Sequence, residues 1–296
     1  MVARWTGRVV VLVLCGWVGS GCLSWKAGWK VSADPRPLPA DRAGDLAREA
    51  REALFRSDSP RGSQQLVAAW TRVTRAVPGD REGWVQLAAA WALRAQWDAR
   101  SEGEQGEFYR IALQAAEKAL ALNPAFRERV AGGAEVWQAL DALGPEDAPA
   151  LGWWAFTLWN YYRDGLSGLV QMTQRRWLCR VRAAGERLAQ LDPGALEGMG
   201  SFLQGVALAE LPESRGGGTA AASALLDRAL ETAPSSPRNL WARAVFLALP
   251  RADRTAFRRD LAAAGSGESP AGHPGWNAWF ARKARELLAR EESLFR

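Results

Sequence analysis

The chain has 296 residues, 48% of them hydrophobic and 24% charged. This is enough apolar material for one substantial core or an elongated helical array, and it argues against wholesale disorder. The net charge of +6 comes from arginines interleaved with acids rather than from a basic block, so no nucleic-acid partner is expected.

At the amino terminus, Arg4 and Arg8 precede an apolar run from Val9 to Val18, roughly ten residues and too short to span a bilayer. Gly19, Ser20 and Gly21 lead to Cys22. Positive start, short apolar run and small residues before a cysteine resemble a bacterial lipoprotein signal, with Gly19 where a leucine is usual. Residues 1–21 therefore read as a signal peptide and Cys22 as the lipidation site, carrying palmitate-type acyl chains that anchor the protein to a membrane. Arg4 and Arg8 are the only charges removed with the signal, so the mature chain carries +4. Leu23 after the cysteine resembles an outer-membrane address, with the domain facing the periplasm. Residues 22–42, containing Pro35, Pro37 and Pro39, read as the lipidated cysteine and an extended tether.

Residues 43–296 read as one all-α domain. Gly, Pro and Ser clusters separate helical stretches, β-branched residues are scarce, and no segment sustains period-2 alternation. Four predicted helices end alike: Arg75-Ala-Val-Pro78, Ala119-Leu-Ala-Leu-Asn-Pro124, Leu188-Ala-Gln-Leu-Asp-Pro193 and Ala229-Leu-Glu-Thr-Ala-Pro234. Such endings resemble the second helix of a tetratricopeptide repeat, where proline stops the run. Trp84, Leu87, Ala88 and Trp91 match the opening of a first helix, with a weaker echo at Val130, Ala134 and Trp137. The terminal prolines lie 46, 69 and 41 residues apart, so the expected fold is an irregular tetratricopeptide-like array of helical hairpins, an α-solenoid. Such arrays act through a surface.

The chemistry-bearing residues are few. His273, the only histidine, lies in the turn-rich loop Ser269–Gly275 and reads as a loop residue; without a second histidine or a nucleophile arrangement, neither a metal site, a cofactor nor an enzyme is expected. Cys179 reads as a small buried apolar side chain. Gly216-Gly-Gly218 reads as a helix-entry turn with Thr219 as N-cap, and Asp253 with Arg254 as a structural ion pair. Trp276, Phe280, Ala284, Leu287 and Leu294 form the apolar stripe of a closing cap helix. The densest aromatic stretch contains Trp153, Trp154, Phe156, Trp159, Tyr161 and Tyr162. Trp153, Trp154, Trp159 and Tyr162 are the candidate ligand-binding residues, on a face that lines an apolar pore or, alternatively, fills the core.

Several segments resemble the T-component lipoproteins of tripartite ATP-independent periplasmic (TRAP) transporters. They are Leu151-Gly-Trp153-Trp154 with Trp159, Leu191-Asp192-Pro193 with Gly198 and Phe202–Gly205, and Leu211–Gly218. Trp241–Phe246 with Asp253-Arg254 and Phe257 follows, and then Asn277–Phe295. Gly218 and Pro250 depart from the family pattern. The resemblance implies degenerate tetratricopeptide repeats and association with a periplasmic solute-binding P-component. It also implies a homo-oligomer and delivery of a hydrophobic small-molecule ligand. A generic repeat scaffold for envelope assembly is the alternative that the repeats alone leave open.

Overall fold

The computed structural model describes residues 25–31, 40–267, 269 and 272–296; the proposed signal and Cys22 lie outside the described residues. Fourteen α-helices account for the fold and no strand occurs among the described residues. The first five are α1 (Ala43–Leu54), α2 (Pro60–Ala76), α3 (Arg81–Trp97), α4 (Glu102–Leu120) and α5 (Pro124–Ala131). The central part holds α6 (Ala148–Asp164), α7 (Gly168–Thr173), α8 (Arg176–Leu191), α9 (Ala195–Glu210) and α10 (Thr219–Thr232). The last four are α11 (Pro237–Arg243), α12 (Arg254–Gly265), α13 (Pro274–Leu288) and α14 (Glu291–Leu294).

Local chemistry sets most boundaries. Ser59 accepts from the Gly62 amide at 3.1 Å with Pro60 following, and Ser101 accepts from the Glu104 amide at 3.2 Å. These are side-chain caps on donors that the first helical turn leaves unpaired. Asn123 takes both the Ala125 and Phe126 amides, so the proline that ends one helix opens the next. Helices α2, α8 and α10 stop one or two residues before Pro78, Pro193 and Pro234, as their endings predict. The weaker echo at Val130–Trp137 is not a helix, because α5 ends at Ala131 and Gly133 takes the left-handed conformation.

Consecutive helices pack as adjacent pairs along the chain, which is the expected helical-hairpin array. The array does not stay open. Helix α13 returns to α3, where the Trp276 indole donates to the Ala89 carbonyl at 3.3 Å across 187 residues. A terminal cap touches only its neighbour, whereas this helix closes the superhelix on an early turn. Helix α6 sits inside, against α3, α4, α8 and α9. Residues 25–31 differ from an extended tether: Trp25 and Trp29 pack onto the domain against Trp177 and Phe126. Cys179 is exposed, because Trp177, Leu178 and Val181 take the buried face of α8. Thr219 begins α10 but Gly218 holds the cap position, at a φ of 99°. Asp253 caps α12, and Arg254 pairs across the fold with Glu291 and Glu292 rather than with its neighbour.

Helices α8 and α9 approach each other backbone to backbone. A Cβ on Gly200 would stand 2.8 Å from the Ala189 amide nitrogen, and one on Gly185 would stand 2.9 Å from the Gly200 carbonyl oxygen. Backbone atoms cannot yield to such contacts, so Gly200→Leu should cost about 1–3 kcal/mol or more through overpacking. Gly44→Ala on α1, where nothing lies within 4 Å, should change stability by at most about 1 kcal/mol, and in the favourable direction. Thermal melts of the two variants check the contrast.

Candidate functional site

Helix α6 is apolar on every side, and its rings leave it in different directions. Trp153 is packed at 5.6 Å from Phe156 and 6.0 Å from Trp276, Trp154 is fully buried, and Trp159 lies 5.4 Å from Phe202. Tyr162 is buried as well and donates to the Gln171 carbonyl at 2.8 Å, which pins α7 to the end of α6. The four expected ligand-binding residues therefore do not share one face. Three of them instead border or back three separate recesses placed around the helix.

The first recess, about 400 Å³, lies between Trp153, Met199, Trp276 and Phe280. Its polar end is built on a strained segment that the sequence does not announce. Leu196, Glu197 and Gly198 adopt φ values of 49°, 60° and 71° in succession, the left-handed region that non-glycine residues avoid. The turn is held from outside by Arg238, whose guanidinium donates to the carbonyls of Leu196 and Glu197 at 2.8 and 2.9 Å. Asn239 adds a bond to Glu197 O at 3.0 Å, while Ser236 and Ser269 bond the Glu197 carboxylate. Burial lowers the Arg238 pKa to about 10, against the pull of Glu197. His273 lines the same recess at the cap of α13, edge-on to Trp153, and neither ring nitrogen has a hydrogen-bond partner among the described residues. Burial pushes its pKa down to about 4, so the imidazole is neutral. It is a structural member of the wall rather than a plain loop residue.

The second recess, about 740 Å³, is bounded by Trp25, Trp29, Trp137, Trp154 and Trp177. Arg180 lies over both the Trp137 and Trp177 rings. At its base Glu117, 1% exposed, accepts from the Gly28 amide at 2.6 Å, the Trp25 indole at 2.9 Å and the Trp154 indole at 3.3 Å. A side chain on Gly28 would run into the Gln114 carbonyl, so only glycine lets the strap approach this closely. Three donors favour the ionised carboxyl, yet no cation among the described residues pairs with it and burial wins, raising its pKa to about 7.

The third recess is the widest, about 990 Å³, between Trp241, Val245, Phe246 and Trp279. Here the end of α6 supplies charge: Arg163 pairs with Asp164 at 2.8 Å and stacks over Trp159, 4.2 Å from its ring centre. Glu210 accepts from the Trp159 indole at 3.3 Å, and burial raises its pKa to about 7 despite the pull of Arg163. Gln96 bridges Tyr109 and Asp164. The opposite wall is a π-helical turn over Ala244–Ala248, a local widening that often marks functional sites. Among the described residues, no group of His, Cys, Asp and Glu is arranged to hold a metal ion. No described helix is long and apolar enough to cross a membrane.

Residues 83–295 match the sequence model of the TRAP transporter T-component family. The match spans well over half of the chain, which belongs to that family. No curated protein matches it.

Two expectations follow from the buried groups. Trp154→Ala removes a core ring and a donor to Glu117, and should cost about 3–5 kcal/mol in a denaturation experiment rather than act on a ligand alone. Glu117 and Glu210 bind a proton in the folded chain up to about pH 7, against an ordinary value of 4.5. Folding takes up protons in that window, so both groups lower stability as pH rises from 4.5 towards 7, and the loss is complete above it. His273 works in the opposite sense, costing stability as pH falls from 6.5 towards 4. Glu117→Gln should remove a contribution of roughly 3 kcal/mol from the carboxyl slope. Melting curves taken across this pH range test it; an unchanged slope would exclude the carboxyl as its source.

Proposed function

We propose that this T-component is a non-enzymatic lipoprotein, anchored through acylated Cys22 with its domain facing the periplasm. In this reading it engages the solute-binding P-component of a TRAP system and passes on a hydrophobic ligand through the third recess. Membership of the family supports the transport role, and the signal-like residues 1–21 support the address.

The observation that carries the ligand step is the make-up of that recess. Trp241, Val245, Phe246 and Trp279 supply apolar walls, and Arg163, Asp164, Glu210 and Lys283 line the same recess. An aliphatic chain gains roughly 25 cal/mol for each Å² of apolar surface that it buries there. The charged groups hold a polar head, so an amphipathic molecule of fatty-acid type fits better than a sugar or a free amino acid. Val245 and Phe246 are only half-buried, leaving room for such a chain to enter between them and Trp279.

Val245→Trp fills the recess from a half-buried position. It should weaken binding of a fluorescent fatty acid to the purified full chain by at least about tenfold, the loss of roughly 1.4 kcal/mol, with the melting temperature nearly unchanged. Binding that is unaffected by the filled recess would move the ligand elsewhere. Co-purification of the full chain from envelope extract tests the partner: recovery of a solute-binding protein supports the transport reading, and recovery of assembly factors alone replaces it with a scaffold.

A further inference from the structure

Three large apolar side chains stand well out of the surface among the described residues, and two of them, Leu169 at 80% and Met172 at 64% exposure, share the short helix α7. They lie three residues apart and so point the same way. Helix α7 buries none of its own residues. It is held by polar bonds instead: Tyr162 donates to Gln171 O, and the Gln171 amide donates to the carbonyls of Arg163 and Leu166 at 2.8 and 2.9 Å. A helix fixed this firmly, yet with its apolar side turned outward, is presented rather than packed.

The stretch of chain around it carries charge of one sign. From Gly165 to Gly185 there are four arginines, Arg175, Arg176, Arg180 and Arg182, and no acid. None of the four has a salt-bridge partner among the described residues, although most arginines of α12 and α13 do. The third observation is independent of the first two. The strap that begins at Trp25 is seated against the first turn of α8, with the Trp25 and Trp177 rings 5.8 Å apart and Glu117 clamping Gly28. Cys22 precedes Trp25 by three residues, a reach of about 10 Å at most.

We propose that α7 and the first turns of α8 bind anionic phospholipid headgroups and seat the domain directly on the bilayer, beside the point where the strap leaves it. Leu169 and Met172 enter the interface while the arginines meet phosphates, the pairing of apolar and basic groups that interfacial helices use. The strap then acts as a short brace that fixes which face looks at the membrane, and the third recess keeps its orientation towards a partner. The position of the bilayer rests on the lipid anchor proposed above; the headgroup contacts rest on the surface itself.

Cys179 is exposed one turn along α8 from Arg175 and Arg176, and serves as a native probe. The mature full chain, its acylation read from intact mass, is reconstituted into vesicles of phosphatidylcholine alone or mixed with phosphatidylglycerol. The rate of Cys179 labelling by a bulky water-soluble maleimide is then measured. Labelling should be several-fold slower on the phosphatidylglycerol vesicles, and the protection should fade as salt is raised. The double substitution Leu169→Glu and Met172→Glu, on side chains that stand out of the surface, should restore the rate, as should Arg175→Gln with Arg176→Gln. Equal labelling on both vesicle types, or protection that ignores headgroup charge, overturns the proposal while leaving an acylated anchor intact. A chain found without acyl groups overturns the anchor instead. The surface is then decided by co-sedimentation: capture by phosphatidylglycerol vesicles alone supports it, and no capture refutes it.

Discussion

Everything in this fold depends on burying α6. Fourteen of its seventeen residues are buried, including Trp153, Trp154, Phe156 and Trp159. A helix that is apolar all round cannot be an outer member of a single-layer solenoid, where each helix keeps one face wet. The chain must curl until α3, α4, α8, α9 and α13 have surrounded it. That demand accounts for the return of α13 to α3, and for the glycine pair that lets α8 and α9 approach each other behind the central helix. The recesses around α6 are what remains where large indoles meet helices of fixed spacing without filling every gap.

Polar groups taken inside are matched with differing completeness, and the contrast separates framework from site. Asp260 is held by Arg243 at 2.7 Å and by Arg259 at 2.8 Å, and Asp147 by Arg81 at 2.9 Å with bonds from Asn123 and Gly144. Each of these ions is paired with a cation of opposite charge, as buried ions must be if they are not to destabilise the fold. Among the described residues Glu117 has donors but no cation, while Glu210 has the Trp159 indole and the pull of the nearby Arg163. Such incompletely compensated carboxyls occur beside two of the three recesses. Groups left poised between charged and neutral are commoner at binding sites than in inert cores.

Helix punctuation was largely legible in the sequence, because it follows from local chemistry. A proline cannot continue a helix, so Pro78, Pro124, Pro193 and Pro234 mark boundaries whatever surrounds them. The aromatic density of Trp153–Tyr162 was legible too, but not the destination of each ring, which depends on partners far along the chain. Trp153 meets His273 and Trp276, and Trp154 meets Glu117. Trp159 meets Phe202 and Glu210. Spacing on one helix cannot report such pairings. The left-handed run at Leu196–Gly198 was illegible for a related reason. Two of its three residues have side chains that resist this conformation, and Arg238, some forty residues later, imposes it. Cys179 was misplaced because its apolar neighbours Leu178 and Val181 suggested burial, while the helical register turns it outward.

The strap shows how a short segment changes the mechanical character of the whole protein. A proline-bearing linker of random-coil type lets the segments it joins sample many relative orientations. Here Trp25 and Gly28 are bound to Glu117 and the Gln114 amide holds the Lys26 carbonyl at 2.7 Å, so the first described residues belong to the folded body. The same carboxyl that receives them also receives Trp154 of α6. The amino-terminal strap and the aromatic centre are thus joined through one buried oxygen pair. Loosening Glu117 would act on both at once, freeing the strap and removing a partner from the central helix. The two features cannot be treated as separate modules, because the seating of the strap at one end is set by the packing at the other.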